Sequence, residues 1–140
     1  MSDTIPSLKL THEGALKVLR AAVEKAKAMG VPQCITIVDE GGSLLAFVRM
    51  DGGKYLSIDS SMKKAMTAAS IRVPTGGMPA DIELKIGLAT DGKSTNLKGG
   101  VPIVVDGHVI GAVGVGSGTG EQDLEVARAG IAALPGAKAW

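Results

Sequence analysis

Asp106-Gly107 stands between two runs rich in β-branched and small apolar residues, Val101 to Val105 and His108 to Val115. Both turn residues tolerate positive φ, and a two-residue turn of this kind matches the twist of the strands it joins, so the pair is a strong local hairpin signal. A second pair of β-type runs, residues 34 to 39 (CITIVD) and 43 to 50 (SLLAFVRM), flanks Glu40-Gly41-Gly42, which sets a second hairpin with Asp39 at its turn. Strands joined by short hairpins are antiparallel. A doubly wound parallel sheet, in which each connection is a long crossover, is therefore excluded.

Helical periodicity surrounds both hairpins. Thr11 opens a segment in which Ala15, Leu16, Leu19, Ala22, Val23, Ala26 and Met29 recur at three- and four-residue steps, and Gly30 and Pro32 close it. Ile58, Met62, Ala65, Met66 and Ala69 predict a second helix from Ser57 to about Ile71, which Pro74 cannot continue. Pro79 to Leu88 is a shorter helical candidate with Pro79 at its first position, and Gly87 to Gly100 reads mostly as loop. Thr119-Gly120-Glu121-Gln122 has the form of a capping box, followed by the stripe Leu124, Ala127, Ile131 and Leu134 and the stop Pro135-Gly136. The fold class is α+β: one domain over residues 1–140, its antiparallel sheet built from two hairpins with helices packed on it. A chain this long buries roughly 68–70% of its unfolded surface, so it needs no disulfide or metal staple.

Charge narrows the partners. Fifteen Lys+Arg against fourteen Asp+Glu leave +1, and the aromatics are only Phe47, Tyr55 and Trp140. Neither the basic face nor the stacking platform of a nucleic-acid binder is present, and no basic patch addresses an anionic membrane. Cys34 is the sole cysteine, which rules out an internal disulfide and multi-cysteine metal sites; it reads as a small buried hydrophobe. No metal site is expected. Without an apolar leader or an 18-residue apolar run, the chain is expected to be cytoplasmic and complete.

Gly87-Leu-Ala-Thr-Asp-Gly92-Lys93-Ser94 satisfies the phosphate-loop pattern G-x-x-x-x-G-K-[ST]. That chemistry requires a strand before the loop and a helix directly after it, and too few residues separate Ser94 from Gly99-Gly100 and Pro102 to form one. The glycines from Gly111 through Gly114, Gly116 and Gly118 to Gly120 serve either an anion at a helix start or close helix-on-strand packing. His12 and His108 are the only imidazoles and hence the axial-ligand candidates for any histidine-ligated haem, while Met62 and Met66 share a helix face that suits core filling or a flat ligand. Asp39, Arg49, Asp51, Lys64 and Thr67 form a polar set around the first hairpin and second helix. Between Arg49 and Lys98 eight basic residues face five acidic ones, an excess suited to ligand carboxylates or to a solvated rim with internal pairing.

Val38-Asp39-Glu40-Gly41-Gly42, Arg49-Met50-Asp51-Gly52, Ser57, Lys64-Ala65-Met66-Thr67-Ala68, Gly99-Gly100-Val101-Pro102-Ile103, Asp106-Gly107, Ile110-Gly111-Ala112-Val113-Gly114-Val115 and Gln122-Asp123 with Ala127 occur in this order. Over roughly residues 8 to 134 this resembles the GlcG/HbpS family, which includes the C-terminal domain of PduO-type corrinoid adenosyltransferases. The resemblance implies a profilin-like domain, often assembled into dimers or larger oligomers. HbpS-like members bind haem, some in haem degradation or iron sensing; others are encoded beside glycolate, diol or aromatic catabolism. The usual G-V-S-G after the last strand is here Gly114-Val115-Gly116-Ser117-Gly118.

The expectation is a haem or other tetrapyrrole binder, with ligand contacts from Asp39, Arg49, Asp51, Lys64, Thr67, Gly114, Gly116 and Asp123. Arg49 and Lys64 would face the propionates, and the Gly114 to Gly120 loop would allow close approach. The alternatives are an enzyme acting on a small catabolic carboxylate, with Asp39, Asp51 or Asp123 transferring a proton, and an accessory protein that reactivates a partner enzyme. A hydrophobic content of 45% and a mean hydropathy of +0.25 fit a homo-oligomer that hides apolar surface between subunits.

Overall fold

A computed structural model describes residues 2–140. The elements run α1 (His12–Met29), β1 (Cys34–Asp39), β2 (Leu44–Arg49), α2 (Leu56–Ile71), α3 (Ala80–Ala89), β3 (Gly100–Val105), β4 (His108–Gly116) and α4 (Gly120–Ala132). The four strands form one antiparallel sheet in the order β2-β1-β4-β3. Both expected hairpins are present. They are joined through β1 and β4, in a register from Cys34 opposite Gly116 to Asp39 opposite Gly111. Asp106 (φ 50°) and Gly107 (φ 78°) both take the left-handed turn conformation that their residue types anticipate.

Alternation along the strands assigns the two faces. Ile35, Ile37, Val101, Ile103, Val113 and Val115 form the main core with buried residues of α1 and α4. Val38 and Ala112 lie in a second, smaller cluster with Ala65, Ala68 and Ala69 of α2. The sheet is thus sandwiched between α1 and α4 on one side and α2 on the other, the profilin-like α+β arrangement that the resemblance implies.

Small residues set how closely α2 approaches. A Cβ on Gly114 would overlap the carbonyl oxygen of Ser61, and one on Gly116 would lie 3.0 Å from Ser60 Oγ. At these two glycines, close helix-on-sheet packing accounts for the residue type. The buried polar face of α2 is satisfied within this contact, with Thr36 and Ser61 sharing a hydrogen bond of 2.8 Å.

The ends of the elements follow their local chemistry. Thr11 caps α1 by accepting from the Gly14 N–H, and Gly30 closes it in the left-handed conformation. Thr119 and Gln122 form the reciprocal capping box that opens α4. Pro79 precedes α3 as its N-cap residue, one position earlier than expected, because its ψ of 143° is extended rather than helical.

The C-terminal tail lies along the outer edge of β3. There the Lys138 N–H donates to the Val104 carbonyl (2.8 Å) and Trp140 Nε1 donates to the Pro102 carbonyl (2.8 Å). Among the described residues no helix is long and apolar enough to cross a membrane.

Candidate functional site

A cavity of about 730 Å³ opens between the C-terminal half of α2, helix α3 and the turn after β1. Met66, Ala69, Ile71, Val73, Met78, Ile82 and Ile86 give it apolar walls, and Glu40, Thr67, Ser70, Thr90, Lys93 and Ser94 are its polar groups. Lys93 is its only cation, and none of the ion pairs among the described residues uses that ammonium. Thr67 on the wall is already engaged. Its hydroxyl donates to the Lys63 carbonyl (2.7 Å) and accepts from the Thr95 N–H (3.0 Å), which ties the 93–95 segment to α2.

That segment contains the phosphate-loop lookalike, and its geometry settles the comparison. Gly87 to Ala89 belong to α3, so the pattern begins inside a helix, not after a strand. Asp91 (φ 57°) and Gly92 (φ 75°) turn the chain back. The N–H groups of Gly92, Lys93 and Ser94 donate to Gly87 O, Thr90 O and Thr90 Oγ1. Those N–H groups are thus occupied at the C-terminal, partially negative end of a helix, which does not cradle phosphate. What the motif contributes is two side chains, Lys93 and Ser94, at the cavity.

A second polar cluster is sealed in the protein. Lys64 of α2 and Asp123 of α4, both almost fully buried, form an ion pair at 2.9 Å, and Lys64 Nζ also donates to the Val115 carbonyl (2.8 Å). Asp123 Oδ1 accepts from the Gly118 N–H (3.0 Å). The Gln33 amide, oriented with its nitrogen toward the acceptors around it, donates to the same oxygen at 2.9 Å and to the Gly116 carbonyl. Burial pushes the Asp123 carboxyl above its ordinary 3.8, while the Lys64 ammonium, the Gly118 N–H and Gln33 pull in the opposite direction. This network clamps α2, α4 and the end of β4 together, and its charges are spent on one another.

The residues expected at the site separate along the sheet. Arg49 and Gly116 both pair with Cys34 at one end, with exposed Asp51 close by in sequence, whereas Asp39 lies at the other. The Asp39 carboxylate accepts from the N–H groups of Gly41 (2.9 Å) and Ser43 (3.0 Å), so it holds the hairpin turn. Of the expected set, only Thr67 lines the cavity; Lys64, placed at ligand carboxylates by the sequence, instead meets Asp123. His12 begins α1 and His108 begins β4, both exposed, and neither lines the cavity. Met66 does line it, while Met62 packs against the alanine cluster. Cys34 is fully buried, and desolvation raises its thiol above the ordinary 9.0. Sequence reasoning missed Lys93, Met78, Ile82 and Ile86 as cavity residues. Lys93 had two signals, the Gly-Lys-Ser run and its place among the eight basic residues between Arg49 and Lys98, but neither separated it from the other cations of that stretch.

The fold and most of the sequence have known counterparts. The chain is 40% identical to Protein GlcG of Escherichia coli (strain K12) over 107 residues, 76% of this chain and 80% of that protein. The crystal structure of a PduOC:heme complex superposes with a TM-score of 0.86 at 29% identity, covering 94% of this chain and 98% of that one. That of HbpS superposes with a TM-score of 0.83 at 34% identity, covering 94% of each chain. The pattern of the family described as "Haem degrading protein HbpS-like" matches residues 10–132, and this chain belongs to that family.

Proposed function

We propose that this protein binds haem or a closely related tetrapyrrole, as a cytoplasmic homo-oligomer. The observation that carries the reading is the likeness, over 94% of the chain, to a PduOC domain crystallised with haem. The cavity fits such a ligand in size and character. Its volume lies within the roughly 300–1,000 Å³ typical of small-molecule sites, and its walls are mainly apolar. Burial of a flat apolar ring supplies affinity, and Lys93 offers a charge-assisted contact to a propionate.

Haem, when bound, supplies redox and axial-ligand chemistry at its iron. This chain would supply apolar walls and the Lys93 cation. The candidates for an iron ligand remain His12 and His108, both exposed and outside the cavity. Thr67 stays in the reading as a wall residue. Lys64, Asp123, Gly114 and Gly116 act by fixing α2 on the sheet and Asp39 by holding the turn, while Arg49 and Asp51 lie toward the other end of the sheet, outside the cavity.

Titration of the purified protein with haemin tests this. The expected result is saturable binding with a shifted, sharpened Soret band that is lost in His12→Ala or in His108→Ala and weakened about tenfold in Lys93→Met. Unsaturable absorption that ignores all three substitutions would overturn the haem reading.

A further inference from the structure

Helix α3 is the wall of the cavity least attached to the rest of the molecule. None of its residues is buried, and it packs closely on no other helix or strand. Ile82 and Ile86, about one turn apart, line the cavity, yet they stay 42% and 36% exposed. None of the ion pairs among the described residues reaches the helix either. Packing of an apolar face supplies most of what fastens a helix to a fold, and segments that lack it open first.

Hydrogen bonds hold α3 instead, and its two ends are held unequally. At the C-terminal end Thr90 accepts from the Lys93 N–H (3.2 Å) through its carbonyl and from the Ser94 N–H (3.0 Å) through its hydroxyl. That segment is tied to α2 by the bond from the Thr95 N–H to Thr67. On the N-terminal side the chain is fixed as far as Thr75, which exchanges two hydrogen bonds of 2.9 Å with Gly100 at the start of β3. Past that point a single side chain is responsible. The Asn96 amide accepts from the Met78 N–H (2.8 Å) and donates to the Met78 carbonyl (3.0 Å) and the Glu83 carboxylate (2.7 Å). Among the described residues, these are the only hydrogen bonds between residues 77–89 and the chain outside 77–94. A Cβ on Gly77 would meet nothing within 4 Å, so packing does not require glycine there, and what it adds is backbone freedom just before the helix.

We propose that α3 is a hinged lid over the cavity, pivoting on its C-terminal attachment at Thr90 and latched at its other end by Asn96. Release of the latch lets Ile82 and Ile86 swing away from α2 and admits a ligand, and closure buries both isoleucines against it. Lys93 lies beyond the pivot, on the segment bonded to α2, so opening the lid leaves the cation in place. Asn96 is thus a positioning residue that sets ligand entry and release without lining the cavity. For its ligand the inference rests on the tetrapyrrole reading above, whereas the lid is a property of the chain alone.

Hydrogen–deuterium exchange of the ligand-free protein, resolved by peptide, tests the lid. Residues 80–89 are expected to exchange faster than α1, α2 and α4, and Asn96→Ala to accelerate them about tenfold with the other helices unchanged. Asn96→Asp, which brings two carboxylates together, is expected to do the same, and adding Glu83→Gln to restore most of the protection, because the new amide donates to the new carboxylate. Protection of 80–89 equal to that of α1, acceleration spread over every helix, or no rescue by Glu83→Gln would overturn the proposal. Transfer of haemin from the loaded protein to excess apoglobin tests the gating, with release expected about tenfold faster in Asn96→Ala. Haemin that binds the wild type but leaves both proteins at the same rate would overturn the gating role while the haem reading stands. A wild type that binds no haemin would overturn the haem reading, and the exchange measurement then decides the lid independently.

Discussion

Lys64 and Asp123, 59 positions apart in sequence, form a buried pair that is costly to disturb one member at a time. An isolated charge left in that environment loses its solvent and its partner together, whereas an apolar pair of similar size fills the same space without either loss. Asp123→Ala is therefore expected to lower stability by about 3–5 kcal/mol, and the double substitution Lys64→Met, Asp123→Leu to recover most of that loss. Urea denaturation of the wild type and the two variants measures both. A double variant no more stable than Asp123→Ala would show that the pair contributes more than mutual neutralisation. Burial also gives Asp123 a pH signature. The folded chain holds this proton more tightly than the unfolded chain does, so the carboxyl's own contribution to stability falls as pH rises from 3.8 through the raised folded value.

Individual elements depend on a few local contacts, and their legibility in the sequence follows from that. The capping box at Thr119 and Gln122 and the Asp106-Gly107 turn were readable because their partners lie within three residues of one another. Thr119→Ala is expected to cost about 1 kcal/mol, read from the midpoint of thermal or urea unfolding, because it removes the acceptor for the Gln122 N–H. The contact between α2 and the sheet was less legible. A glycine-rich strand serves close packing or a ligand equally well in one dimension, and only the position of the Ser61 carbonyl against Gly114 decides between them. α3 was the least legible helix, since apolar residues at every second position suit a strand as well as a helix apolar on two sides.

At the scale of the whole molecule, the sheet has two outer strands, and the chain protects one of them itself. Residues 137–140 cover the free edge of β3 through a bridge between Val105 and Ala137, the Lys138 N–H bond and the Trp140 indole. Removing Ala137–Trp140 is expected to lower stability by about 1–3 kcal/mol, for the two hydrogen bonds and the packing lost, and to leave a strand edge open to intermolecular pairing. Chemical denaturation together with light scattering on the truncated chain reads both effects. The cavity belongs to this scale as well, because α2, α3 and the β1–β2 turn each contribute to its walls and none contains it.

The sequence by itself determined the element order, the antiparallel pairing within each hairpin, the helix caps and the family, because turn chemistry, periodicity and ordered motifs are properties of neighbouring residues. Tertiary structure alone decided that β1 and β4 join the hairpins, that Lys64 is consumed by Asp123, and that Lys93 rather than Arg49 stands at the apolar cavity. Each of these depends on which distant segments meet and on how much water is left between them. A charged residue reads alike in the sequence whether it ends up solvated, paired or facing a ligand, and only burial separates the three.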